Sequence, residues 1–449
     1  MSATSGPGPA GGSPVGATVT FTVRGGRPLL GELRVPGDKS VSHRALIVGA
    51  LARGTSVVRG LSHGEDVART AAALRAMGAS VHDGRVSAGP DGLHAPETDL
   101  DAGNSGTTIR LLAGAVAGFP WTSRLVGDAS LSARPMDRVA APLRAMGASV
   151  EGQGPRCLPP LTVTGGALRG IDYASPLPSA QVKSCVLLAG LGARGDTVVR
   201  EPVLTRRHTE ELLARCGAAL VEEQLADGAH VVTLSPSVLD PFELDVPGDP
   251  SQAAFWLVAG CIVPDSALTV RGIYVGEGRR GFLDVLARMG ARTEERDVTG
   301  PGALGPTADV SVRAGPLRGT EVEAAEITGL DEVPILAVAA ACARGETVFR
   351  SVGELRVKES DRLAGVAELV RAFGGRAEVA ADDLVVAGGD GALRPGTLAA
   401  RGDHRMAMAA AVAGLAAGPG PTTVSGWASV ATSYPDFGRD LAHLQRGAG

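Results

Sequence analysis

Apolar and small residues repeat along the chain with a period of about 70 residues. The octapeptide LRAMGASV at residues 74–81 recurs unchanged at 143–150, and variants follow at 213–218, 286–291 and 370–375. Each copy has the spacing typical of the end of an amphipathic helix, and a glycine just past a helix can take the left-handed conformation that ends it. β-prone residues come next. The repeat therefore predicts a helix that ends at a glycine and leads into a strand, at positions 78, 147, 217, 290 and 374.

Two further repeats group these units. Ala-Arg-Gly precedes a Thr/Val run at 52–54, 193–195 and 343–345, which again predicts a helix end followed by a strand. Val-Pro-Gly-Asp at 35–38 returns at 246–249, and an Ala/Leu/Val-rich helix is predicted after each copy, at 44–51 and 253–261. Chance similarity in an Ala- and Gly-rich chain is the alternative, but the near-constant spacing argues against it. We expect an α/β fold of two similar domains with three units each.

Composition narrows the class of protein. The 449 residues are 44% hydrophobic and 20% charged, with a net charge of −5. This balance is typical of a soluble globular protein, and it argues against a general binder of nucleic acid or anionic membranes. No apolar run is long enough for a membrane span. The five cysteines are scattered without a C-x-x-C pair, so we expect reduced thiols rather than zinc or disulfides. Residues 1–18 are interpreted as a disordered leader, because they lack the basic start and apolar run of a secretory signal.

Candidate anion sites lie at predicted helix starts. Lys39 and Ser40 open a helix, where free N–H groups favour an anion, and Arg44 lies one turn later. The loop at 103–110 contains Gly106 between small polar residues and could present backbone N–H groups to a phosphate. Neither segment is decisive alone. A helix cap explains the first as well as an anion site does, and a plain turn explains the second.

Two more segments have the same character. Ser179 can cap a helix whose first turn carries Gln181 and Lys183, a set of groups suited to a phosphorylated polyol. Residues 205–210 hold the paired arginines Arg206 and Arg207 before another helix, although most such arginines are solvated surface residues.

The segment 354–362 is the richest in charge, with Lys358, Glu359 and Arg362 close together. In a helix, Lys358 and Arg362 would share a face. Arginine can bind carboxylate or phosphate through two hydrogen bonds, and a glutamate between cations is a candidate acid or base. A surface ladder of salt bridges is the alternative. Upstream, Asp331 precedes an apolar helix, as an N-cap or as a base at a cleft.

A last candidate is the start of the apolar helix at 403–408. There Asp403 could act as the cap, while Arg405 in the first turn could reach an anion.

Taken together, these motifs resemble the 5-enolpyruvylshikimate-3-phosphate synthase family. Their order and spacing match it over about residues 19–445, and Ser-Ala-Gln-Val-Lys-Ser at 179–184 is similar to the divergent bacterial subgroup. The motifs are Pro-Gly-Asp-Lys-Ser at 36–40, Gly-Asn-Ser-Gly-Thr at 103–107, Arg-Pro-Met at 134–136, Ser-Ala-Gln-Val-Lys-Ser at 179–184, Arg-Val-Lys-Glu-Ser-Asp-Arg at 356–362 and Asp-His-Arg at 403–405.

The resemblance implies a fold of two domains, each of three βαβαββ units in an inside-out α/β barrel. It places domain I at 19–36 plus 247–449 and domain II at 37–246. It also implies the transfer of the enolpyruvyl group from phosphoenolpyruvate to the 5-hydroxyl of shikimate 3-phosphate, with release of phosphate, in the shikimate pathway to chorismate and aromatic amino acids. No cofactor, metal, nucleic acid or membrane partner is implied. We expect a cytoplasmic monomer whose phosphoenolpyruvate site is the glyphosate target.

The resemblance also implies roles for particular residues. The expected catalytic residues are Asp331, Glu359 and Lys39. Shikimate 3-phosphate would be bound by Lys39, Ser40, Arg44, Ser179, Ala180, Gln181, Arg206, Asp331 and Lys358. Phosphoenolpyruvate would be bound by Lys39, Gly106, Arg134, Gln181, Arg362 and Arg405.

Three positions depart from the plant and enteric pattern of the family. Ala180 stands where a second serine binds phosphate, Glu354 replaces an asparagine, and Thr432 replaces a lysine of the phosphoenolpyruvate site. Because Thr432 replaces the lysine, we expect either a lower affinity for phosphoenolpyruvate or another cation that takes the place of the lysine. Two other functions are weighed. UDP-N-acetylglucosamine enolpyruvyl transferases carry a loop cysteine that this chain lacks before residue 157, and a silent anion-binding scaffold would not need Asp331 and Glu359.

Overall fold

Short strands and helices alternate along the described chain, which comprises residues 19–300, 302–389 and 393–447 of the computed structural model. The expected leader at 1–18 lies outside these residues. Up to residue 245 the elements are β1 (Thr20–Arg24), β2 (Leu30–Leu33), α1 (Lys39–Leu51), β3 (Ser56–Arg59), α2 (Glu65–Ala76), β4 (Ser80–His82), β5 (Arg85–Ser87), β6 (Leu100–Asp101), α3 (Gly106–Ala117), β7 (Thr122–Val126), α4 (Ala129–Ser132), α5 (Asp137–Met146), β8 (Ser149–Gln153), β9 (Leu158–Thr164), β10 (Asp172–Ala174), α6 (Ala180–Gly190), β11 (Thr197–Glu201), α7 (His208–Arg215), β12 (Leu220–Gln224), β13 (His230–Leu234) and β14 (Glu243–Asp245).

The remaining residues continue the alternation. The elements are α8 (Pro250–Ile262), β15 (Ala267–Tyr274), α9 (Gly281–Arg288), β16 (Arg292–Asp297), β17 (Thr307–Arg313), β18 (Glu321–Glu323), α10 (Val333–Cys342), β19 (Gly345–Arg350), α11 (Arg362–Ala372), β20 (Arg376–Ala380), β21 (Asp383–Gly388), β22 (Thr397–Ala399), α12 (His404–Ala416), β23 (Pro421–Ser425) and α13 (Phe437–Arg446). Short 3₁₀ helices occupy Gly353–Val357 and Trp427–Thr432.

The described residues form six sheets, and the five that have four strands share one pattern. In β6-β7-β9-β8, for example, the first pair is parallel and the next two pairs are antiparallel. The sheets β10-β11-β13-β12 and β18-β19-β21-β20 have the same arrangement. The sixth sheet has three strands, in the order β1-β23-β22. The α/β class and the repeated βαβαββ unit are confirmed.

The glycine repeat has the conformation expected of it. Gly78, Gly147, Gly217, Gly290 and Gly374 all have a positive φ, between 78° and 108°, just past helices α2, α5, α7, α9 and α11. An L side chain is strained in this region, so glycine is the natural residue for ending these helices. The arginine of the repeat has a shared role too. Arg75, Arg144 and Arg371 each donate to the carbonyl oxygen six residues further on, in the strand that follows.

Two separate hydrophobic clusters fill the molecule. The N-terminal core takes residues from 41 to 244 together with Leu304, and the C-terminal core takes residues 23–35 and 253–444. In each core, three helices are buried over most of their length: α1, α3 and α6 in the first, and α8, α10 and α12 in the second. The expected domain boundaries at 36/37 and 246/247 stay a prediction.

The chain passes between the cores at the two Val-Pro-Gly-Asp copies. Gly37 and Gly248 form a bridge, and the backbone N–H of Asp38 donates to Pro247 O at 2.7 Å. Each aspartate accepts from the backbone of the helix that follows it, Asp38 from Val41 N and Asp249 from Ser251 N. The helices α1 and α8 therefore begin side by side. Compared with the predicted ranges, α1 is longer only at its amino-terminal end, and α8 is longer at both ends. Among the described residues, no helix has the length and apolar character needed to cross a bilayer.

Candidate active site

A cavity lies where the amino-terminal ends of buried helices from both cores face each other. It encloses about 1190 Å³, part of it open to solvent. In the described structure, eight lysine and arginine side chains and four carboxylates line it: Lys39, Arg110, Arg134, Arg138, Arg206, Arg279, Lys358 and Arg405, with Asp66, Asp331, Glu354 and Glu359. Free N–H groups at helix starts add to this positive charge. The cavity is therefore suited to small polyanions.

Most residues predicted from the sequence are brought together here. The lining includes Lys39, Ser40, Gly106, Arg134, Ser179, Ala180, Gln181, Arg206, Asp331, Lys358, Glu359 and Arg405. Arg44 and Arg362 do not line the cavity and are 2% and 1% exposed.

Arg44 lies behind the start of α1. It donates to Ser40 O at 2.9 Å, to Thr209 Oγ1 at 2.7 Å and to Ser184 Oγ at 2.7 Å. Burial, together with nearby Arg206, lowers the pKa of Arg44 to about 10. In this arrangement Arg44 supports the backbone that presents Ser40.

Asp331 is the carboxylate with the most cationic partners in the cavity. It accepts from Arg206 at 2.6 Å, and Arg405 and Arg362 lie 3.3 and 3.4 Å from its oxygens. Burial by itself would raise the pKa of Asp331, but Arg405, Arg206, Lys358 and Arg362 hold it well below its usual range. The cap position of α10 belongs to Glu332. Of the two roles left open for Asp331, the geometry therefore favours the ionised carboxylate at a cleft.

Glu359 is the second acid in the cavity. It pairs with Arg362, three residues along the chain, and lies 3.6 Å from Arg134 on the opposite side. Burial would raise the pKa of Glu359, but Arg362, Arg134, His404 and Lys39 lower it well below its usual range. Glu359 is thus an ionised group between cations from both cores.

The segment 354–362 is not the single helix considered from the sequence. A 3₁₀ helix ends at Val357, Lys358 is extended, and α11 begins only at Arg362 with Asp361 as its cap. The prediction that Lys358 and Arg362 share one face of a helix is therefore wrong. This break turns Lys358 into the cavity while Arg362 points into the protein, where it binds Asp403 at 2.7 Å.

Lys183 also differs from the sequence interpretation. Ser179 caps α6, and Gln181 lines the cavity, as expected. Lys183, however, is 1% exposed, and its Nζ lies 2.5 Å from Glu201 Oε1 and 2.6 Å from Glu210 Oε1. It belongs to a buried cluster beneath the site, because the side chain two residues after Gln181 on a helix points away from the same face.

Three arginines of the cavity, Arg110, Arg138 and Arg279, were not selected from the sequence, and the first two contact predicted or neighbouring site residues. Arg110 donates to Gln181 Oε1 at 2.6 Å, and Arg138 donates to Glu354 Oε1 at 2.8 Å. Each lies four residues after a predicted site residue, Gly106 or Arg134, and this i, i+4 spacing was the available signal. Glu354 also lies 4.0 Å from Lys358. Burial, with Arg134 and Arg138 nearby, lowers the pKa of Arg110 to about 10.

At the position of the missing lysine, Thr432 lies outside the cavity lining. Its hydroxyl donates to Ser429 O at 2.7 Å. The Nζ of Lys39 instead makes a 2.8 Å ion pair with Asp66 on α2. Three cavity cations lie outside the set of residues expected to bind the substrates, namely Arg110, Arg138 and Arg279. Of these, Arg279 is bound by Asp38 and Asp249 at 2.8 and 2.9 Å.

Comparison with known proteins gives the family. The sequence model described as EPSP synthase (3-phosphoshikimate 1-carboxyvinyltransferase) matches residues 23–441. The chain belongs to the EPSP synthase family. Curated relatives named 3-phosphoshikimate 1-carboxyvinyltransferase include one from Gloeobacter violaceus, 48% identical over 437 residues that cover 95% of this chain and 99% of that protein. Another, from Acidithiobacillus ferrooxidans, is 47% identical over 427 residues, covering 93% and 96%.

Solved structures agree with the EPSP synthase fold. An EPSP synthase from Acinetobacter baumannii matches with a TM-score of 0.80 and 38% identity, covering 96% of this chain and 98% of that one. The enolpyruvyl transferase NikO from Streptomyces tendae matches with a TM-score of 0.75 at 23% identity, covering 95% and 98%, which shows the shared fold. The predicted family and fold are confirmed. The individual roles of the EPSP synthase site residues stay predictions.

Proposed function

We propose that this member of the EPSP synthase family transfers the enolpyruvyl group of phosphoenolpyruvate to the 5-hydroxyl of shikimate 3-phosphate and releases inorganic phosphate. The observation that carries the proposal is the cavity itself, in which eight cations surround the two acids Asp331 and Glu359. Two polyanionic substrates need several cations, and the reaction needs groups that accept and donate protons.

Shikimate 3-phosphate is assigned to the side of the cavity formed by α1, α6 and the loop before α7. Ser40, Ser179 and Arg206 lie there, and Lys358 also lines the cavity. Arginine and hydroxyl groups at helix starts are well suited to a phosphate. Ala180 offers no hydroxyl, so its contribution is limited to its backbone.

Phosphoenolpyruvate is assigned to the side formed by Gly106, Arg134 and Arg405, with Lys39 and Gln181 between the two substrates. The absence of a side chain at Gly106 leaves this wall open. A Cβ there would lie 3.0 Å from Arg110 Nη1 and 3.3 Å from Arg134 Nη1. Arg110 supplies the additional cation at this wall, which supports it as a substitute for the lysine missing at Thr432.

Asp331 is proposed as the base. It takes the proton from the 5-hydroxyl while that oxygen attacks C2 of phosphoenolpyruvate. C3 takes a proton either from the Lys39 ammonium or from Glu359, which must first take up a proton because its carboxylate is ionised between its cationic neighbours. In the second step the bond between C2 and the phosphate oxygen breaks, the C3 proton returns to the group that supplied it, and the proton taken by Asp331 leaves with the phosphate. Anionic substrates that engage Arg206 and Arg405 reduce the positive charge acting on Asp331, which raises its pKa towards the range of a useful base.

We also propose that residues 19–36 plus 247–449 and residues 37–246 act as two domains that close on the substrates. Ion pairs that join residues of the two cores support this, such as Arg206 with Asp331 at 2.6 Å and Arg138 with Glu354 at 2.8 Å. Closure removes water and strengthens electrostatic contacts. A cytoplasmic monomer remains our expectation.

The test is phosphate release from shikimate 3-phosphate plus phosphoenolpyruvate, with UDP-N-acetylglucosamine as the competing acceptor. We expect release only with shikimate 3-phosphate. In Asp331→Asn, kcat should fall by about 10²- to 10⁴-fold, the usual contribution of a general base. Asp383→Asn is the matched control, since this carboxylate accepts from Arg350 outside the cavity. No release by the wild type with normal substrate binding would refute the proposed reaction, whereas an active Asp331→Asn would refute only the assigned base.

A further inference from the structure

The loop that carries Arg206 is held on both sides by carboxylates from the sheet beneath it. On one side, Glu201 accepts from Thr205 N at 3.0 Å and from Thr205 Oγ1 at 2.6 Å. On the other, Glu222 accepts two bonds from Arg207, at 2.9 and 2.8 Å. Both neighbours of Arg206 are therefore fixed to β11 and β12.

His230 joins these two carboxylates. Its Nδ1 lies 3.2 Å from Glu201 Oε1, and its Nε2 lies 3.2 Å from Glu222 Oε2. Because each ring nitrogen faces a carboxylate, only the imidazolium can donate to both. Burial opposes protonation, and Lys183 adds a smaller opposing effect, but the bonds to Glu201 and Glu222 raise the pKa of His230 to about 9.

The strand order explains this arrangement. β13 pairs with β11 on one side and β12 on the other, and Glu201 lies directly opposite His230. Glu222 is diagonal to it, since Gln224 is the direct partner on β12. Directly opposed and diagonal residues on one face of a sheet are close enough for side-chain contact. The sheet thus brings together side chains from three different strands, β11, β12 and β13.

The cluster already contains its own cation beneath the loop. Ligand atoms of Glu201, Glu210 and His230 lie within 4.8 Å of one another, a spacing that would suit a metal ion. However, the Lys183 ammonium lies 2.5 Å from Glu201 and 2.6 Å from Glu210. With the imidazolium and Arg207, it balances the three carboxylates. The cluster is accordingly a structural ion network rather than a metal centre.

Arg206 extends from this support across the cavity. Its Nη1 donates to Ser40 Oγ at 3.0 Å, and its Nη2 donates to Asp331 Oδ2 at 2.6 Å. A long side chain can deliver both bonds only if its backbone is fixed, and misplacement by about 1 Å can cost on the order of 100-fold in rate.

We propose that His230 is a positioning residue for the acceptor site: by bridging Glu201 and Glu222 it holds the 202–207 loop so that Arg206 points at the phosphate of shikimate 3-phosphate. This inference rests on the proposed function. It predicts that the effect of His230 on substrate binding passes through Arg206, whereas a residue that only stabilises the sheet would act independently of that side chain.

The test is a double-mutant cycle of His230→Gln and Arg206→Ala in the full-length protein, read as KM for shikimate 3-phosphate and as kcat. His230→Gln should fold, because Glu201 keeps Lys183 and Glu222 keeps Arg207 as cationic partners. We expect it to raise KM on the order of 10-fold in the wild-type background and by less than about 2-fold in Arg206→Ala, since only a contact made through Arg206 is lost. The change in kcat should be smaller than the change in KM.

An equal rise of KM in both backgrounds, or no rise in either, would overturn the inference. If His230→Gln does not fold, Arg207→Met replaces it in the cycle with the same criteria, since it removes the partly exposed pair of Arg207 with Glu222 that holds the other side of the loop. Arg200→Met is the matched control: it removes a two-bond arginine–carboxylate pair with Asp172 on the same sheet and should leave KM unchanged. If the wild type releases phosphate but the effects of the two substitutions on KM are additive, only the positioning role of His230 is refuted, and the proposed function stands.

Discussion

Replacement of Arg279 by methionine would leave two buried carboxylates without their shared cation. Arg279 is 5% exposed, and it binds Asp38 and Asp249 at 2.8 and 2.9 Å where the chain passes between the cores. Removing one partner of a buried ion pair costs about 3–5 kcal/mol, because the remaining charge stays buried. We expect a loss of this order, which corresponds to roughly 10²- to 10⁴-fold in the folding equilibrium.

Arg59→Met is the matched comparison for this measurement. Arg59 also binds two carboxylates, Glu243 at 2.9 Å and Asp245 at 2.7 Å, but its side chain is 53% exposed and theirs are 69% and 55% exposed. Exposed ion pairs contribute about 0–1 kcal/mol. The two variants therefore remove the same kind of contact and differ mainly in burial.

Urea denaturation followed by circular dichroism and tryptophan fluorescence provides the assay. We expect Arg279→Met to shift the first unfolding transition to clearly lower urea, and Arg59→Met to shift it little. Equal shifts in the two variants, or a cost below about 1 kcal/mol for Arg279→Met, would contradict the reasoning that burial makes this contact important.

Three further predictions concern the site and its surroundings. Arg138→Met and Glu354→Gln should each raise KM for the substrates about 5-fold, because their partly exposed ion pair joins the two cores and contributes about 1 kcal/mol. The double variant should raise KM no more than either single variant, whereas additive effects would show that the two residues are not coupled. Because Arg110 is proposed to substitute for the lysine missing at Thr432, Thr432→Lys should leave KM for phosphoenolpyruvate nearly unchanged. A fall of about 10-fold, the gain expected from an added charged hydrogen bond, would refute Arg110 as the substitute. The pKa of His230 is about 9 in the folded protein, above its usual 6.5. The contribution of the imidazolium to the free energy of unfolding is therefore complete below pH 6.5 and is lost as the pH rises to 9. The free energy of unfolding should therefore fall by up to about 3 kcal/mol over this range in the wild type, and less in His230→Gln; equal slopes would refute the assignment.

Features set by local conformation could be predicted from the sequence. The helix ends at Gly78 and Gly147 follow from the left-handed φ that glycine accepts without strain, and the structure has 90° and 108° at these positions. The helix starts at Lys39 and Ala180 follow in the same way from their capping residues, Asp38 and Ser179. Such signals need only a few neighbouring residues, which explains why they repeat in each unit.

Contacts between distant segments could not be predicted in this way. Lys183 and Gln181 look alike as polar residues in one helical turn, but the second carboxylate that binds Lys183 lies on α7, 27 residues away in sequence. Arg138 gains its position in the cavity from Glu354, 216 residues later. Lys358 and Arg362 diverge because the chain breaks between a 3₁₀ helix and α11. In each case the deciding partner comes from tertiary structure.

The pairing of β1 with β23 has a consequence for synthesis on the ribosome. Residues 41–244 supply nearly all of the N-terminal core, so this part can pack once that stretch has emerged. The three-stranded sheet instead needs Thr20–Arg24 beside Pro421–Ser425, two segments that lie about 400 residues apart in the chain. The strand β1 must therefore stay unpaired for about 400 residues of elongation, and at roughly 5–20 residues per second it waits on the order of 20 to 80 seconds for its partner.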